Sequence, residues 1–336
     1  MEPPNPEPGT DTDAHMTAKH ENPWILPSYG DESPLRYPGG KGRLAPWIAT
    51  LIRYNNLQGG TYVEPYAGGA GVAMYLLTHG IANRIILNEL DPGIHAFWKT
   101  VITDHKPLCD MIREYPGTME TRAMSRTILH NPMEHSETEH AFAALFMNRT
   151  SYSGILHGGA IGGKNQTGRF LLDARYKPEK ICQRIERIAQ HRRKISVYRM
   201  DATTFLKAKG GRLPQRTLVY ADPPYWKKGP GLYRKHYRTA AQHEEAAAAM
   251  QALQRPTLIS YDDIPQIRDL YLNMDSTSLA LHYTTANTVR PHSSEAVFYS
   301  GLELPAKPTI IRTELMQIWK DLHARDCATL RNEGEQ

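Results

Sequence analysis

The sequence has few cysteines and no long hydrophobic run. Its three cysteines, Cys109, Cys182 and Cys327, are far apart in the chain, so they form neither a CxxC metal clamp nor a disulfide framework, and they fit a reducing compartment. No apolar run approaches the roughly 18 residues that would span a bilayer, and the mean hydropathy is −0.54. The acidic, Pro-rich start is unlike a secretory signal. We therefore expect a soluble, cytoplasmic protein without a bound metal.

Acidic residues are scarce in two stretches that are rich in lysine and arginine. Residues 146–200 hold 12 Lys and Arg against three acids, and residues 226–238 hold five against none. Residues 1–33 are the opposite, with seven acids and one lysine, and their composition predicts a disordered tail. Basic charge gathered in two stretches is typical of a polyanion binder, although a merely solvated surface is the alternative.

Strand and helix patterns alternate along most of the chain, which predicts an α/β fold. A β-prone run, Thr61–Glu64, leads through a Gly-rich turn into a helix, and a second strand is predicted at Arg84–Asn88, before a helix from Pro92. Later strands are predicted at 194–198, 217–221, 257–260 and 295–299, and later helices at 242–253 and 313–324. Residues 104–190 break the alternation, because they are mostly helical or loop-like and carry a Gly-rich basic stretch. We interpret this segment as an insertion.

The Gly-rich turn after the first strand is typical of a nucleotide or nucleoside site. Glycines let the chain turn tightly and let a ligand approach the backbone. Glu89 follows the second strand, 21 residues after Gly68, where an acid can hold ribose hydroxyls. The pattern G-G-x-G differs from that of dinucleotide sites and also suits S-adenosylmethionine, which has a ribose but no pyrophosphate. A Gly-rich turn without a ligand is the alternative.

A buried strand at 217–221 runs directly into Asp222-Pro223-Pro224-Tyr225. The two prolines lack N–H groups and fix φ, so carbonyl groups at the strand end stay free to accept hydrogen bonds. A carboxylate beside a carbonyl can accept both hydrogens of an exocyclic amine, and an adjacent aromatic ring can stack on the base that carries the amine. The amine lone pair is then free to attack. A rigid turn after a strand is the alternative.

Six segments in this order resemble a DNA adenine-N6 methyltransferase of the Dam type, class D12. In this class, which has the alpha order of motifs, the cofactor motif precedes the recognition region and DPPY follows both. The segments are Arg36–Lys41, Tyr62–Gly71, Asn88–Asp91, Asn148–Gly154, Asp222–Tyr225 and Ser293–Val297. The resemblance covers about residues 34–300. It implies a Rossmann-like S-adenosylmethionine-dependent methyltransferase sheet with a mostly helical target-recognition insertion.

The resemblance also implies domains and a reaction. The expected divisions are a tail at 1–33, a catalytic domain at 34–103 and 191–305, a target-recognition insertion at 104–190, and a C-terminal helix and tail at 306–336. The implied enzyme is a monomer that moves a methyl group from S-adenosylmethionine to N6 of a flipped adenine in double-stranded DNA. Cytosine-N4 methylation and an inactive DNA-binding relative are the alternatives. The recognition sequence and a restriction endonuclease partner stay open.

Site residues follow from the same resemblance. The catalytic group is Asp222, Pro223, Pro224 and Tyr225. The cofactor group is Tyr37, Lys41, Glu64, Pro65, Tyr66, Gly68, Glu89, Asp201 and Asp222. The DNA-binding group is Arg149, Tyr152, Lys164, Asn165, Arg169, Lys227 and Lys228. Two alternatives remain: either Glu89 or Asp91 holds the ribose, and Asp201 either lies near the cofactor adenine or caps the helix that follows it.

Overall fold

A central β-sheet organises the molecule. The computed structural model describes residues 26–27, 29–30, 32–37, 40–226, 237, 239–280 and 294–334. The strands are β1 (Thr61–Glu64), β2 (Arg84–Asn88), β3 (Ile195–Tyr198), β4 (Thr217–Ala221), β5 (Thr257–Asp262), β6 (Asp275–Ala280) and β7 (Ser294–Ser300). They form a seven-stranded sheet in the order β3-β2-β1-β4-β5-β7-β6. Strands β1 to β5 are parallel, and β7 is antiparallel to its neighbours β5 and β6.

Helices cover both faces of this sheet. They are α1 (Ala45–Tyr54), α2 (Gly71–Thr78), α3 (Pro92–Thr103), α4 (His105–Glu114), α5 (Met119–His130), α6 (Glu137–Thr150), α7 (Pro178–Gln190), α8 (Ala202–Lys209), α9 (Ala240–Gln251), α10 (Pro265–Leu270) and α11 (Arg312–Gly334). Successive residues of a strand point to opposite faces. Tyr62 and Val63 of β1 accordingly belong to two different hydrophobic clusters, one on each side of the sheet.

The predicted Rossmann-like sheet is confirmed by this topology. Strand order 3-2-1-4-5 is the doubly wound order, in which the helices after β1 and β2 lie on one face of the sheet and those after β3 and β4 on the other. Strands β1, β2 and β4 have the predicted bounds, and β3 and β5 differ from theirs by one and two residues. In an open parallel sheet, ligands bind beyond the carboxyl ends of the strands where the order reverses. This point lies between β1 and β4.

The helices of residues 104–190 pack onto the sheet domain. Helix α6 lies against α3 and α5, and α7 lies against α4. Helix α6 begins at a capping box, in which Ser136 and Glu139 bind each other's backbone N–H, and most of its residues are buried. Phe97 of α3 and Phe142 of α6 share one hydrophobic cluster with the sheet. The helical content agrees with the sequence, whereas the role of the segment in recognition stays a prediction.

Part of the predicted disordered tail is packed against the core. Leu26 and Ser33 are buried. The Tyr75 hydroxyl donates to the carbonyl of Pro27 at 2.8 Å, and the Ser33 hydroxyl donates to the carbonyl of Gly69 at 2.5 Å. The tail predicted as disordered up to residue 33 therefore includes described residues that are packed on the core. We call the described residues of this segment, 26–27, 29–30 and 32–37, the N-terminal strap. Residues 1–25 lie outside the described residues.

Two cysteines that are distant in sequence are neighbours in space. Cys109 of α4 and Cys182 of α7 are both buried free thiols, and the Cys182 thiol donates to the carbonyl of Cys109 at 3.6 Å. Across the described ranges, no helix is long and apolar enough to cross a membrane. In the same part of the chain, no three metal-ligating side chains gather into one group.

Candidate active site

A cavity of about 460 Å³ lies at the carboxyl ends of β1 and β4. This volume suits a small-molecule ligand, for which sites of roughly 300–1,000 Å³ are usual. Walls come from the strap, the loop after β1, the ends of β2 and β4, and the turn before α8. The predicted site residues that line it are Tyr37, Lys41, Glu64, Pro65, Tyr66, Glu89, Asp201, Asp222 and Pro224. Most of the predicted cofactor and catalytic groups therefore meet at one place.

The loop after β1 needs glycine at position 68. Gly68 has φ of +47°, a left-handed conformation that side chains rarely adopt. A Cβ atom there would lie 2.7 Å from the ring of Tyr37, which packs directly on the loop. The Trp98 indole also donates to the Gly68 carbonyl at 2.9 Å. The strap, the loop and α3 therefore hold one another in a fixed arrangement.

Glu89 is a buried carboxyl group at the end of β2. Its Oε2 accepts from the N–H of Gly68 at 2.7 Å, and its Oε1 accepts from the N–H of Asp91 at 2.8 Å. Burial raises the pKa of Glu89 to about 7, and the nearby Asp91 carboxylate adds to the rise. Asp91 itself caps α3, accepting from Gly93 and Ile94. Of the two candidates, Glu89 is the one that faces the cavity.

Asp201 is a helix cap at the wall of the cavity. Its Oδ1 accepts from the N–H groups of Thr203 and Thr204 at 2.9 and 3.1 Å, so it is the N-cap of α8. It also lines the cavity. Asn88 was predicted only as part of a motif, without a role of its own. Its side-chain amide donates to the carbonyls of Pro65 and Met200 at 3.0 Å, and its Oδ1 accepts from the N–H of Met200 at 3.1 Å. It thereby ties together the chain segments that leave β1 and β3.

Lys41 joins the cofactor side of the cavity to the DPPY turn. Its side chain is 2% exposed, and Nζ lies 3.2 Å from both carboxylate oxygens of Asp222. Nζ also donates to the Tyr225 hydroxyl at 2.7 Å and lies 3.4 Å from Oε2 of Glu295. A buried ammonium group between two carboxylates compensates their charge. Glu295 of β7 was not predicted as a site residue.

Asp222 is further held by hydroxyl groups from neighbouring strands. Ser260 of β5 donates to its Oδ1 at 2.7 Å, and Tyr225 donates to the same oxygen at 3.2 Å. Ser260 in turn shares a hydrogen bond of 2.9 Å with Tyr220 of β4. Sequence reasoning missed Ser260, although a polar residue within a run buried on both faces was a signal for it. The Asp222 carboxylate is thus oriented by a network of side chains.

A second buried carboxyl group, Glu64, ends β1. Its Oε1 accepts from the Tyr62 hydroxyl at 3.1 Å and from the N–H of Ala73 at 3.2 Å. Burial raises the pKa of Glu64 to about 8, an effect that these two hydrogen bonds partly oppose and the charge of Asp222 increases. The cavity therefore has two carboxyl groups, Glu64 and Glu89, that titrate near neutral pH.

Aromatic side chains support the DPPY turn from behind. The rings of Tyr225 and Tyr261 stack with centroids 5.8 Å apart. The Tyr261 hydroxyl donates to the Pro224 carbonyl at 3.3 Å. Next in the chain, the N–H of Trp226 donates to Asp262 at 3.2 Å. Strand β5 therefore fixes the turn that carries the predicted catalytic group.

The predicted DNA-binding residues fall into three sets. Tyr152, Lys164, Asn165 and Arg169 are exposed on the loop between α6 and α7. Lys227 and Lys228 lie outside the described residues. Arg149 is buried, and its guanidinium donates to the carbonyls of Arg175 at 2.7 Å and Pro34 at 3.3 Å. This placement argues against the predicted DNA contact of Arg149, because its donors serve the protein backbone.

Comparison with known proteins gives one extensive match. A sequence model of the D12 class N6 adenine-specific DNA methyltransferases matches residues 37–286. The type II methyltransferase M.MjaIII of Methanocaldococcus jannaschii is 22% identical in an alignment of 206 residues that covers 57% of this chain and 68% of that protein.

Solved structures give looser likenesses. The rRNA methyltransferase aviRa of Streptomyces viridochromogenes matches with a TM-score of 0.34 and 13% identity, over 75% of this chain and 82% of that one. Protein LPL1258 of Legionella pneumophila matches with a TM-score of 0.27 and 10% identity, over 84% and 92% of the two chains. Scores this low support no functional conclusion.

Proposed function

Because this chain belongs to the D12 class N6 adenine-specific DNA methyltransferase family, we propose that its cavity binds S-adenosylmethionine beside a flipped adenine of double-stranded DNA. The chain is an adenine-specific DNA methyltransferase, since the family match covers most of its length. One observation carries the proposal for the site: Glu89 and Asp222, a carboxyl group suited to ribose and one suited to an amine, line the same cavity.

The cavity residues fit S-adenosylmethionine. The Glu89 carboxylate accepts backbone N–H groups of Gly68 and Asp91, and of its roughly four acceptor sites it keeps at least one for a ribose hydroxyl. Tyr37 presents an aromatic ring over the Gly-rich loop, and Asp201 lines the wall beside α8. When bound, this cofactor would supply a sulfonium methyl group that is already activated for transfer.

Asp222 and the carbonyl of Pro223 would accept the two N6 hydrogens of the target adenine. The base must leave the duplex to reach them. Among the described residues, Oδ1 of Asp222 receives the hydroxyls of Ser260 and Tyr225, whereas Oδ2 receives Lys41 alone. Oδ2 is therefore the oxygen with room for an N6 hydrogen. Two acceptors would direct the amine lone pair away from the ring and towards the methyl group.

Catalysis would then rest mainly on positioning. Lys41 and Ser260 hold the Asp222 carboxylate, and Tyr261 holds the Pro224 carbonyl, before substrate binds. Groups fixed in advance need little reorganisation during the reaction. Tyr225 would stack on the flipped base. No covalent enzyme intermediate is needed.

The exposed loop after α6 would contact the DNA. Lys164 and Arg169 can bind phosphates, and Asn165 can read base edges. We place the protein, acting as a monomer on double-stranded DNA, in the cytoplasm of a bacterial or phage-infected cell. Its DNA affinity should fall steeply with salt, because phosphate contacts release counterions.

Expression in a host without adenine methylation tests the reaction, the base and the site together. Sequencing of the host genome should find N6-methyladenine at one short sequence. The matched control is Asp222→Ala, which should give none while leaving much of the DNA affinity. A folded protein that leaves no modified adenine, or that modifies cytosine instead, contradicts the proposal.

A further inference from the structure

One arginine of the cavity wall has an unsatisfied nitrogen. Arg36 lines the cavity, and its Nη1 is buried without a hydrogen-bond partner among the described residues. An unpaired donor of a charged group is costly to remove from water. A buried guanidinium nitrogen with nothing to bind therefore points to an anionic group that is received from outside the protein.

The surroundings of Arg36 are cationic. Burial lowers the pKa of Arg36, and the charge of nearby Arg175 lowers it further. Within the described part of the chain, no carboxylate pairs with either arginine. Arg175 is exposed. A half-buried and an exposed guanidinium near each other, with no acid paired to them among the described residues, suit an anion that arrives from solvent.

The two arginines are held in place by the Asn148-Arg149 segment. Asn148 accepts from the N–H of Arg36 at 2.8 Å and donates to its carbonyl at 2.5 Å. Arg149 bridges the carbonyls of Pro34 and Arg175. The backbones that carry Arg36 and Arg175 are thereby joined through the end of α6, so the two arginines extend from one connected part of the fold.

This pair lies where the cavity meets the loop expected to touch DNA. Arg36 and Ser153 line the cavity together, and Ser153 directly follows the exposed Tyr152. We propose that Arg36 and Arg175 bind a phosphate group of the target strand beside the flipped nucleotide. The proposal rests on the proposed function, because it needs DNA at this edge of the cavity. It adds a contact that fixes the backbone of the extruded nucleotide rather than its base.

Salt-dependent DNA binding tests the site. In the full chain, Arg36→Gln should weaken binding to a duplex that carries the methylated sequence by roughly tenfold at low salt. It should also reduce the slope of log affinity against log salt by about 0.9. Arg36→Lys keeps the charge and should keep the slope, with reduced affinity, and Arg175→Gln should repeat the loss. The control is Arg268→Gln, an exposed arginine that pairs with Asp263 and should bind as wild type does.

The affinity for S-adenosylmethionine, measured by calorimetry on the same proteins, distinguishes the other source of an anion. We expect it to be unchanged in Arg36→Gln. A loss of cofactor affinity with an unchanged salt slope would overturn the proposal and assign Arg36 to the cofactor carboxylate. A wild-type slope in a folded Arg36→Gln protein would overturn it as well.

Failure of this site differs from failure of the proposed function. The wild-type protein is assayed for N6-methyladenine in the same preparation. If the wild type methylates DNA and the Arg36→Gln variant binds DNA with the wild-type affinity and salt slope, only the proposed phosphate site is wrong. If the wild type is folded but neither methylates nor binds DNA, the proposed function fails, and this site fails with it.

Discussion

Charged side chains are buried and paired near the cavity at the ends of β1 and β4, whereas on the loop between α6 and α7 they are exposed. In the cavity, Lys41, Asp222 and Glu295 are packed against one another, and Lys41 and Glu295 are almost fully buried. On the loop, Lys164 and Arg169 are exposed to solvent. Charges of the first kind are fixed by their neighbours, so each substitution disturbs several groups. The exposed charges of the loop are screened by water and salt. We therefore expect substitutions of these residues to have small and additive effects on DNA affinity.

Substitution of Lys41 tests the buried charges of the cavity and should have the largest effect. Lys41→Met would leave Asp222 and Glu295 without a compensating charge, and we expect a loss of about 3–5 kcal/mol in the free energy of unfolding. Urea denaturation measures it. The double variant with Glu295→Gln should regain much of the loss, because one uncompensated carboxylate is then neutral. If Lys41→Met has the wild-type free energy of unfolding, the charges of the cavity interact no more strongly than those of the loop.

Asp222→Asn should leave the fold intact and remove activity. The amide keeps the shape of the side chain and one acceptor oxygen, but it lacks the negative charge that orders Lys41, and its NH2 group cannot accept a hydrogen bond. We expect a fall of about 10²–10³-fold in kcat, the usual effect of losing one preorganised electrostatic group. Single-turnover methylation measures it. Asp263→Asn, a surface change beside Arg268, is the control and should be fully active.

The pH dependence of cofactor binding tests Glu89. Its raised pKa of about 7 means that the carboxyl group is neutral in acid and becomes a carboxylate as the pH rises. Only the carboxylate offers all its lone pairs to ribose hydroxyls, so affinity for S-adenosylmethionine should rise by up to roughly tenfold between about pH 6 and 8. Calorimetry across this range measures it.

Glu64 titrates in a similar range, with a pKa raised to about 8, so variants must separate the two groups. Glu89→Gln should bind the cofactor weakly and with little pH dependence. Glu64→Gln should keep the rise that belongs to Glu89. The same pH profile in Glu89→Gln and wild type would remove Glu89 from the ribose site.

A substitution on the loop should have the smallest effect. Lys164→Ala should lower DNA affinity only a few-fold, and equally for all sequences, because one exposed phosphate contact is lost. The value of kcat at saturating DNA should not change. Lys307→Ala removes an exposed lysine outside both regions and is the control. A large loss of kcat in Lys164→Ala would show that the loop is coupled to the cavity.

Of the seven strands that the structure describes, six were predicted to within two residues and one, the edge strand β6, was not predicted. Strands β1, β2 and β4 are short, mostly apolar runs bounded by turn residues, because they lie inside the sheet. Strand β6 was not predicted, since the edge strand Asp275–Ala280 is mostly polar. Helix α1 was not predicted, although its apolar residues recur with helical spacing.

Site residues were predictable where they follow the carboxyl ends of parallel strands. Glu89 and Asp222 meet because their strands flank β1 and run in the same direction. Contacts made by packing were not predictable. The sequence does not tell that Glu295 reaches Lys41, or that Arg149 turns inward to the strap. Such orientations depend on segments that are distant in the chain.

The attachment of the strap has a practical consequence for anyone who shortens or recombines this enzyme. The family match begins at residue 37. However, Ser33 is hydrogen-bonded to Gly69, and the Asn148 side chain is hydrogen-bonded to both the N–H and the carbonyl of Arg36. A protein trimmed to the matched boundary would lose one wall of its own cavity. A hybrid that receives the end of α6 and the following loop from a relative should receive that relative's strap as well, because the two segments are hydrogen-bonded to each other.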